Sequence, residues 1–240
     1  VLTAARDIGF SETGQPVVFA ETVVPINPTN VEETHHNIET IARKTRTPFL
    51  SLGGDHSVTY SLFKGFASVN KGAGLLVFDA HPDCMQPFSI ATHENYLRQL
   101  IEDGIVDASR VVLAGLRIFD KEELAFLKKA KIRYYDMQTI AAEGVESICE
   151  AVMESVKDFP SLYVSVDIDA VDPGMAPGTG YPEPGGLTSR ELLYFIHRLK
   201  NLKNIKAGDI VEVCPAKDVN GITVRLAARV LVEMATDKRL

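Results

Sequence analysis

The amino-acid sequence predicts an α/β fold, arranged as a single three-layer, doubly wound domain with a mostly parallel sheet. Short β-branched and apolar runs alternate with loops and amphipathic helices, which is the pattern of parallel βα units. The length of 240 residues suits one large α/β domain, and 45% hydrophobic with 24% charged residues is ordinary globular usage. No repeat or linker divides the chain, so we expect one domain over residues 1–240. Residue 1 is Val, which leaves room for an N-terminal strand and helix before the numbered chain.

The first half of the chain contains an extended segment and two βα units. Residues 17–24 suit a strand or an extended arm, and the helix predicted over 30–44 turns its glutamates outward. Residues 49–52 predict a short buried strand that runs through two glycines into a helix over 57–66. Residues 75–78 are apolar but too few for a helix, which favours a strand covered on both faces.

The second half of the chain repeats the same alternation. The predicted strands lie at 111–114, 132–135, 162–166 and 210–213, and the predicted helices at 121–130, 145–157, 188–199 and 221–234. The helix over 188–199 opens with a capping box made by Thr188 and Glu191. The loop over 172–187 is out of proportion to the others.

Charge and cysteine content exclude several classes of protein. A formal net charge of -7 argues against nucleic-acid binding, which needs clustered Lys and Arg, and suits a cationic or neutral substrate. Three cysteines without C-x-x-C spacing predict neither a disulfide framework nor a zinc knuckle, so a reducing cytoplasm is the expected location. No stretch approaches the ~20 apolar residues that span a bilayer, and no leader-like segment opens the chain, so we expect no membrane association.

Acidic and histidine residues follow four of the predicted strands. They are Asp55 and His56 after the first, Asp79, His81 and Asp83 after the second, Asp167, Asp169 and Asp172 after the third, and Glu212 at the end of the fourth. Open parallel sheets bind ligands beyond the carboxyl ends of their strands, so these side chains should meet in one crevice. Taken singly, an aspartate in such a place can equally be a helix N-cap, an alternative that stays open for Asp55 and Asp172.

Carboxylates that meet in one crevice pose an electrostatic problem that a bound cation would solve. Like charges raise each other's pKa, so the groups stay ionised only with positive charge among them. The candidate ligands are two histidines and four aspartates: His56, Asp79, His81, Asp83, Asp167 and Asp169. So many oxygens per nitrogen suit Mn²⁺ better than a structural Zn²⁺. Six side chains exceed what one such ion takes from protein, so we predict two Mn²⁺ per chain, about 3.5–4 Å apart.

Four motifs are the most specific part of the sequence. They are GGDHS at 53–57, DAHPD at 79–83, SVDIDAVDP at 165–173 and the glutamate in VEVCP at 211–215. In this order and context they resemble the ureohydrolases, the family of arginases and agmatinases, over nearly the whole chain. The resemblance implies an arginase-like fold and the hydrolysis of a guanidinium group to urea and an amine. It also implies a homo-oligomer, a trimer or a hexamer.

The resemblance implies a role for each residue of the site. Each manganese would have its own histidine and aspartate, and two further aspartates would bridge the ions: His56 with Asp83, His81 with Asp169, and Asp79 with Asp167 as the bridges. Three residues would be catalytic. Asp83 would hydrogen-bond the attacking hydroxide, Glu212 would hold the guanidinium, and His93 would shuttle a proton to the leaving amine. The alternative for His93 is a surface position in the first turn of a helix over 94–100.

The expected substrate is agmatine, a small cationic guanidino compound. The loop APGTGYPEPGGLTSREL at 176–192 resembles agmatinases more than arginases. The segment 84–92 is short and lacks the Asn- and Ser-rich clamp that arginases use for the α-amino and α-carboxylate groups. Arginine and guanidinobutyrate are the alternatives. The sequence departs from the family pattern at Pro82, where Thr is common, at Cys214, where Asn is common, and at Glu94, where agmatinases usually have Gly.

Two other functional classes are alternatives to this interpretation. A different two-metal hydrolase, such as a phosphoesterase, would face its phosphate with Arg or Lys instead of Glu212. A non-catalytic relative would have lost ligands. Among the other reactive side chains, Asp55 is expected to support His56, Cys214 to be an inert thiol, and His35, His36 and His197 to be solvent or packing residues.

Overall fold

A computed structural model describes residues 1–45 and 48–236 of the chain. Within these residues lie nine helices and six strands. The helices are α1 (Leu2–Ile8), α2 (Val31–Lys44), α3 (Val58–Val69), α4 (Tyr96–Glu102), α5 (Lys121–Ala130), α6 (Met137–Glu143), α7 (Val145–Val156), α8 (Ser189–Leu199) and α9 (Ile222–Ala235). The strands are β1 (Phe49–Leu52), β2 (Gly74–Phe78), β3 (Val111–Leu116), β4 (Arg133–Asp136), β5 (Leu162–Asp167) and β6 (Ile205–Val211).

The six strands pair in parallel in the order β1-β6-β5-β2-β3-β4. From β2 the chain moves outward through β3 and β4, and it then returns to form β5 and β6 on the other side of β2. The order therefore reverses between β2 and β5, and the crevice at such a switch point is where open α/β sheets bind ligands. The predicted doubly wound fold is confirmed.

Helices cover both faces of the sheet and make the domain three layers thick. Leu76 and Phe78 of β2 pack on the face covered by α1 and by α6 to α9. Leu75 and Val77 of the same strand pack on the face covered by α2 to α5. Successive side chains of a strand point to opposite faces, so a strand that is apolar throughout serves both cores.

Most of the predicted elements are found within a few residues of their expected bounds. Strand β1 is half-buried and not buried as expected, because it is an edge strand with one neighbour, β6. Strand β6 begins five residues before the predicted start and ends at Val211, so Glu212 follows the strand. Residues 17–24 belong to no helix or strand, which corresponds to the extended-arm alternative.

One predicted helix has the cap expected for it, and two short helices were not predicted. Helix α8 has the expected reciprocal capping box between Thr188 and Glu191. Helices α1 and α6 are not predicted by the pattern, because seven residues carry too little periodicity.

In residues 1–45 and 48–236, no helix combines the length and hydropathy that crossing a bilayer requires.

Candidate metal centre

The predicted ligands meet at the switch point of the sheet. Asp79 follows β2 and Asp167 closes β5, and these two strands are neighbours. His56 enters from the turn between β1 and α3. All six side chains are brought together, and five of them are buried, while the side chain of His81 is 21% exposed. The predicted convergence on one crevice is therefore observed.

The imidazole of His56 faces three carboxylates at once. Its Nδ1 lies 2.9 Å from Oδ2 of Asp79 and 3.1 Å from the Oδ2 atoms of both Asp83 and Asp167. Nδ1 of His56 and Oδ2 of Asp79 are buried and make no hydrogen bond within the described residues. Buried polar atoms normally have hydrogen-bond partners. Nitrogen and oxygen atoms that converge without hydrogen bonds therefore fit a site where they bind a cation.

The imidazole of His81 faces the opposite side of Asp79. Its Nδ1 lies 3.1 Å from Oδ2 of Asp169 and 3.5 Å from Oδ1 of Asp79. Two groups of potential ligands result, His56 with Asp79 and Asp83, and Asp79 with His81 and Asp169, and in each group the ligand atoms lie within 4.8 Å of one another. The shared Asp79 makes the two groups adjacent, which fits a pair of ions better than a single ion.

Backbone amides fix the orientation of three carboxylates. The amide of His81 donates to Oδ1 of Asp79 at 2.7 Å, and the amide of Asp169 donates to Oδ1 of Asp167 at 2.8 Å. The amide of Ala80 donates to Oδ1 of Asp169 at 3.1 Å. In each case the other oxygen, Oδ2, faces an imidazole nitrogen. The local chain thus sets the geometry that a metal requires.

The concentration of negative charge is evident from the pKa values of these groups. Burial and the charge of Asp79 raise the pKa of Asp83 well above its usual value, and burial with the charge of Asp169 does the same for the pKa of Asp167. Burial would also raise the pKa of Asp79, but the two neighbouring imidazoles lower it. Burial lowers the pKa of His81, but the carboxylates of Asp169 and Asp79 raise it to about 11. Divalent cations would neutralise this excess of negative charge.

A buried network behind His56 fixes its tautomer. Asp209, in the middle of β6, accepts hydrogen bonds from the hydroxyls of Thr59, Tyr163 and Ser165 at 2.8, 2.7 and 2.6 Å. The Ser165 hydroxyl gives its hydrogen to Asp209, so its oxygen accepts the Nε2–H of His56 at 2.9 Å. When the imidazole is neutral, as a metal ligand must be, its lone pair is therefore on Nδ1, the atom that faces the carboxylates. Sequence reasoning missed Asp209, although a carboxylate inside an apolar strand is a detectable signal.

Two residues of the site have unusual backbone conformations. Glu212 has φ 61° and Asp83 has φ 52°, and non-glycine residues at positive φ cluster at functional sites. The backbone amide of Glu212 donates to the Gly54 carbonyl at 2.9 Å, and its Oε1 accepts the His56 amide at 2.8 Å. Burial raises the pKa of Glu212. The side chain therefore extends from the strand end to the metal centre.

Glu123, in the first turn of α5, holds the segment that follows Asp83. Its Oε1 accepts the amide of Cys84 at 2.9 Å, and its Oε2 accepts the amide of Asp120 at 3.1 Å as part of a capping box. The side chain is buried. One carboxylate thus connects the start of α5 to the residue directly after a candidate ligand, a link that the sequence does not predict.

Arg117 anchors the long loop to the metal centre. Its guanidinium donates to the carbonyl of Asp169 at 2.6 Å and to the carbonyl of Glu183 at 2.8 Å. Within the loop, the Asp172 carboxylate accepts the amides of Gly174 and Gly185. Asp172 therefore shapes the turn and is not a helix N-cap, and the loop is held at both ends.

His93 lies at the edge of the centre, before a helix and not in its first turn as the alternative interpretation supposed. Helix α4 begins at Tyr96, three residues later. The ring of His93 stacks on that of Tyr181, with centroids 5.8 Å apart and an angle of 28° between the planes. Gly180, the residue before Tyr181, passes close to Glu212, because a Cβ on Gly180 would lie 3.5 Å from Oε2 of Glu212.

Asp55 does not support His56, contrary to expectation. Its carboxylate accepts the amide of Ser57 at 3.0 Å, whereas the Nε2 atom of His56 is held by Ser165. The Cys214 thiol is partly exposed.

The remaining histidines lie away from the metal centre. His35 binds Ser61 at 2.8 Å, and His197 binds the buried Glu233 at 3.0 Å. Both contacts agree with the expected packing roles. His36 is exposed on α2, as expected for a solvent residue.

Comparison with known proteins agrees with these features. The sequence profile of the arginase family matches residues 5–236. Over 218 residues, 88% of this chain and 68% of the relative, the sequence is 34% identical to a guanidinopropionase of Pseudomonas aeruginosa. Over 189 residues, 77% of this chain and 55% of the relative, it is 36% identical to the mitochondrial agmatinase of Gallus gallus. The chain thus spans little more than half of that agmatinase.

Solved structures give the same result for the fold. The crystal structure of formimidoylglutamase from Bacillus subtilis superposes with a TM-score of 0.89 at 27% identity, and the match covers 98% of this chain and 79% of that one. The proclavaminate amidinohydrolase of Streptomyces clavuligerus superposes with a TM-score of 0.82 at 30% identity, over 88% and 72% of the two chains.

Proposed function

The chain belongs to the arginase family, and on that basis we propose that it is a two-metal amidinohydrolase that splits a guanidino compound into urea and an amine. The observation that carries the proposal is the pair of ligand groups that share Asp79, with the carboxylate of Glu212 attached to them through the His56 amide. The proposed substrate is agmatine, which would give putrescine and urea. Arginine and guanidinobutyrate are the alternatives.

The donor set fits two Mn²⁺ ions. His56 and Asp83 would hold one ion and His81 and Asp169 the other, while Asp79 and Asp167 would be shared. This assignment is supported by the unpaired Nδ1 of His56 and by an oxygen-rich set that suits a hard cation. When bound, such a pair lowers the pKa of water from 15.7 towards ~7 and so supplies the nucleophile.

Glu212 is the proposed guanidinium ligand. Its Oε1 is already oriented by the His56 amide, so the carboxylate needs little rearrangement to accept N–H donors from a planar cation. Its negative charge attracts a guanidinium and repels a phosphate. This is the reason for preferring an amidinohydrolase over a phosphoesterase.

Two further residues would handle the protons of the reaction. Water adds to the guanidinium carbon, and the bond from that carbon to the substituted nitrogen breaks. The water oxygen stays in urea, and both protons of the water end on the departing amine, which leaves as an ammonium ion. Oδ2 of Asp83 would accept a hydrogen bond from the attacking water, and the imidazole of His93 would deliver a proton to the amine. The stack of His93 on Tyr181 supports this role, because Gly180, next to Tyr181, passes close to Glu212.

The experiment that tests the activity is an assay of urea release with Mn²⁺ over a panel of compounds. The panel contains agmatine, arginine, guanidinobutyrate, guanidinopropionate and formimidoylglutamate, the last assayed for formamide. We expect the highest kcat/KM for agmatine. A higher value for another compound would replace the proposed substrate, and no turnover of any compound would refute the amidinohydrolase.

Metal content gives a second, independent test. We expect about two Mn per chain after loading and desalting, about one or fewer in Asp79→Asn, and an unchanged content in the control Asp103→Asn, an exposed carboxylate that binds Tyr60. One metal in the unaltered chain would contradict the two-metal centre. The cytoplasmic location and the trimeric or hexameric assembly expected from the sequence stay predictions.

A further inference from the structure

Tyr181 makes two aromatic contacts at the edge of the metal centre. Its ring stacks on His93, with centroids 5.8 Å apart, and its hydroxyl oxygen lies 3.5 Å from Nε2 of that histidine. The same ring meets the ring of His81, a proposed ligand, at 6.0 Å and 72°. Ring pairs at such separations and angles attract each other. Tyr181 thus lies between a proposed ligand and the proposed proton donor.

The backbone on both sides of Tyr181 is held in place. The carbonyl of Gly180 accepts a hydrogen bond from Nζ of Lys217 at 3.0 Å, and the carbonyl of Glu183 accepts one from Arg117 at 2.8 Å. A Cβ on Gly180 would lie 3.5 Å from Oε2 of Glu212, so the chain passes close to the guanidinium ligand. Tyr181 is 49% exposed, while hydrogen bonds connect the backbone on both sides of it to the rest of the fold.

The segment that carries His93 is fixed mainly through its neighbours. The side chain of Asn95 accepts the amide of Thr92 at 2.9 Å, and the amide of Met85 donates to the carbonyl of Glu94 at 3.0 Å. These bonds orient the backbone and do not involve the imidazole. The ring of His93 itself contacts Tyr181, through the stack and the 3.5 Å approach of the hydroxyl.

We propose that Tyr181 is a positioning residue, which holds the imidazole of His93 at the mouth of the metal centre so that His93 can protonate the departing amine. This inference rests on the proposed amidinohydrolase function. Tyr181 undergoes no chemical change in the reaction. Since substrate binding depends on Glu212 and not on the stack, loss of the ring should affect the chemical step more than the binding of substrate.

The test compares Tyr181→Phe, which keeps the stack, with Tyr181→Leu, which removes it. For the best substrate of the panel we expect kcat to fall about 10-fold or more in Tyr181→Leu, within the range that acid catalysis contributes, while KM changes less than about 2-fold. Tyr181→Phe should retain most of kcat. The matched control is Phe88→Leu, because Phe88 is an aromatic residue that is 78% exposed on the neighbouring segment. An unchanged kcat in Tyr181→Leu, or an equal fall in Phe88→Leu, would overturn the proposal.

A spectroscopic measurement separates this proposal from the proposed function. In histidine-labelled protein loaded with diamagnetic Mg²⁺, the ring signals of His93, assigned with His93→Asn, should shift in Tyr181→Leu and stay in place in Phe88→Leu. An unchanged His93 signal in Tyr181→Leu refutes the stack even if the enzyme is active. A shifted signal in a protein that hydrolyses no guanidino compound refutes the proposed function and, with it, the role of the stack in catalysis. Metal content and circular dichroism of each variant identify any that fails to fold.

Discussion

Asp209 and His56 bind the same oxygen atom, the hydroxyl of Ser165, at 2.6 and 2.9 Å. The carboxylate thereby determines which nitrogen of the imidazole carries the hydrogen, although it lies outside the centre itself. A ligand histidine is commonly oriented by such a partner, and loss of the partner typically weakens metal binding. The contact between Asp209 and Ser165 therefore predicts an effect on metal binding, which can be measured without substrate.

Asp209→Asn should weaken metal binding. An amide side chain cannot accept all three hydroxyls that Asp209 accepts, so Ser165 loses its fixed direction and His56 its tautomer. We expect the affinity for the ion that His56 would hold to fall about 10-fold to 100-fold, measured by titration of the apoprotein with Mn²⁺. The control is Asp103→Asn, because the carboxylate of Asp103 binds Tyr60 on the surface, away from the metal centre. Equal affinities in both variants would show that the network does not orient the ligand.

Glu123→Gln should destabilise the fold and disturb the ligand Asp83. The carboxylate accepts two amides in a buried position, and an amide side chain can accept with one of its two ends only. We expect the free energy of unfolding to fall by about 1–3 kcal/mol in urea titrations of the apoprotein. Glu122→Gln is the matched control, because Glu122 is exposed and pairs with Arg98, a contact that contributes about 0–1 kcal/mol. A loss of the same size in both variants would argue against a special role for Glu123.

Arg117→Lys should loosen the loop over 172–187 without removing charge. A lysine cannot reach the carbonyls of Asp169 and Glu183 together, because it lacks the planar fork of donors. We expect faster amide hydrogen exchange within this loop, read by mass spectrometry, and little change elsewhere. Arg133→Lys, whose guanidinium binds Ser155 on an exposed surface, is the comparison. If the loop exchanges at the same rate in both variants, other contacts hold it.

Glu233 should make stability depend on pH in the acid range. Its buried carboxylate accepts the Glu12 amide, lies near the cations of Lys200 and Arg229, and contacts the imidazole of His197. Burial alone would raise the pKa of Glu233, but the Glu12 amide and Lys200 lower it below its usual value. A carboxyl with a lowered pKa in the folded state stabilises the fold when it is ionised. Its contribution is therefore present at pH 7 and is lost as the pH falls below about 4.3 and through the folded pKa.

Glu233→Gln should reveal this dependence. We expect a loss of about 1–3 kcal/mol at pH 7, and a smaller difference from the unaltered chain below pH 4, in urea titrations across this range. Glu154→Gln, an exposed partner of Lys157, should show neither effect. A difference that stays constant from pH 7 to pH 3 would mean that the charge of Glu233 does not stabilise the fold.

Features that leave a local pattern in the sequence could be predicted, and features that depend on contacts between distant elements could not. Strand β2 is an apolar run, strand β5 is mostly apolar, and helix α8 begins with a capping box, so local pattern located them. Helix α6 is too short for its periodicity to register, and the edge position of β1 depends on the strand order, which local pattern does not contain. The six candidate ligands were found because they follow strands, and parallel strands bring their carboxyl ends to one edge.

The sequence by itself determined the fold class, the six residues that converge and the motifs that resemble a family, because these depend on local periodicity and on the end of a strand at which a residue lies. Only the tertiary structure decided which contacts orient those residues. Asp209 reaches His56 from β6, Glu123 reaches Cys84 from α5, and Tyr181 reaches His93 from the long loop. Glu123 and Cys84 lie 39 positions apart, and Tyr181 and His93 lie 88 positions apart. Ser165, which joins Asp209 to His56, lies 44 positions from the first and 109 from the second. Such contacts arise from the packing of whole elements, whose relative placement no short stretch of sequence encodes.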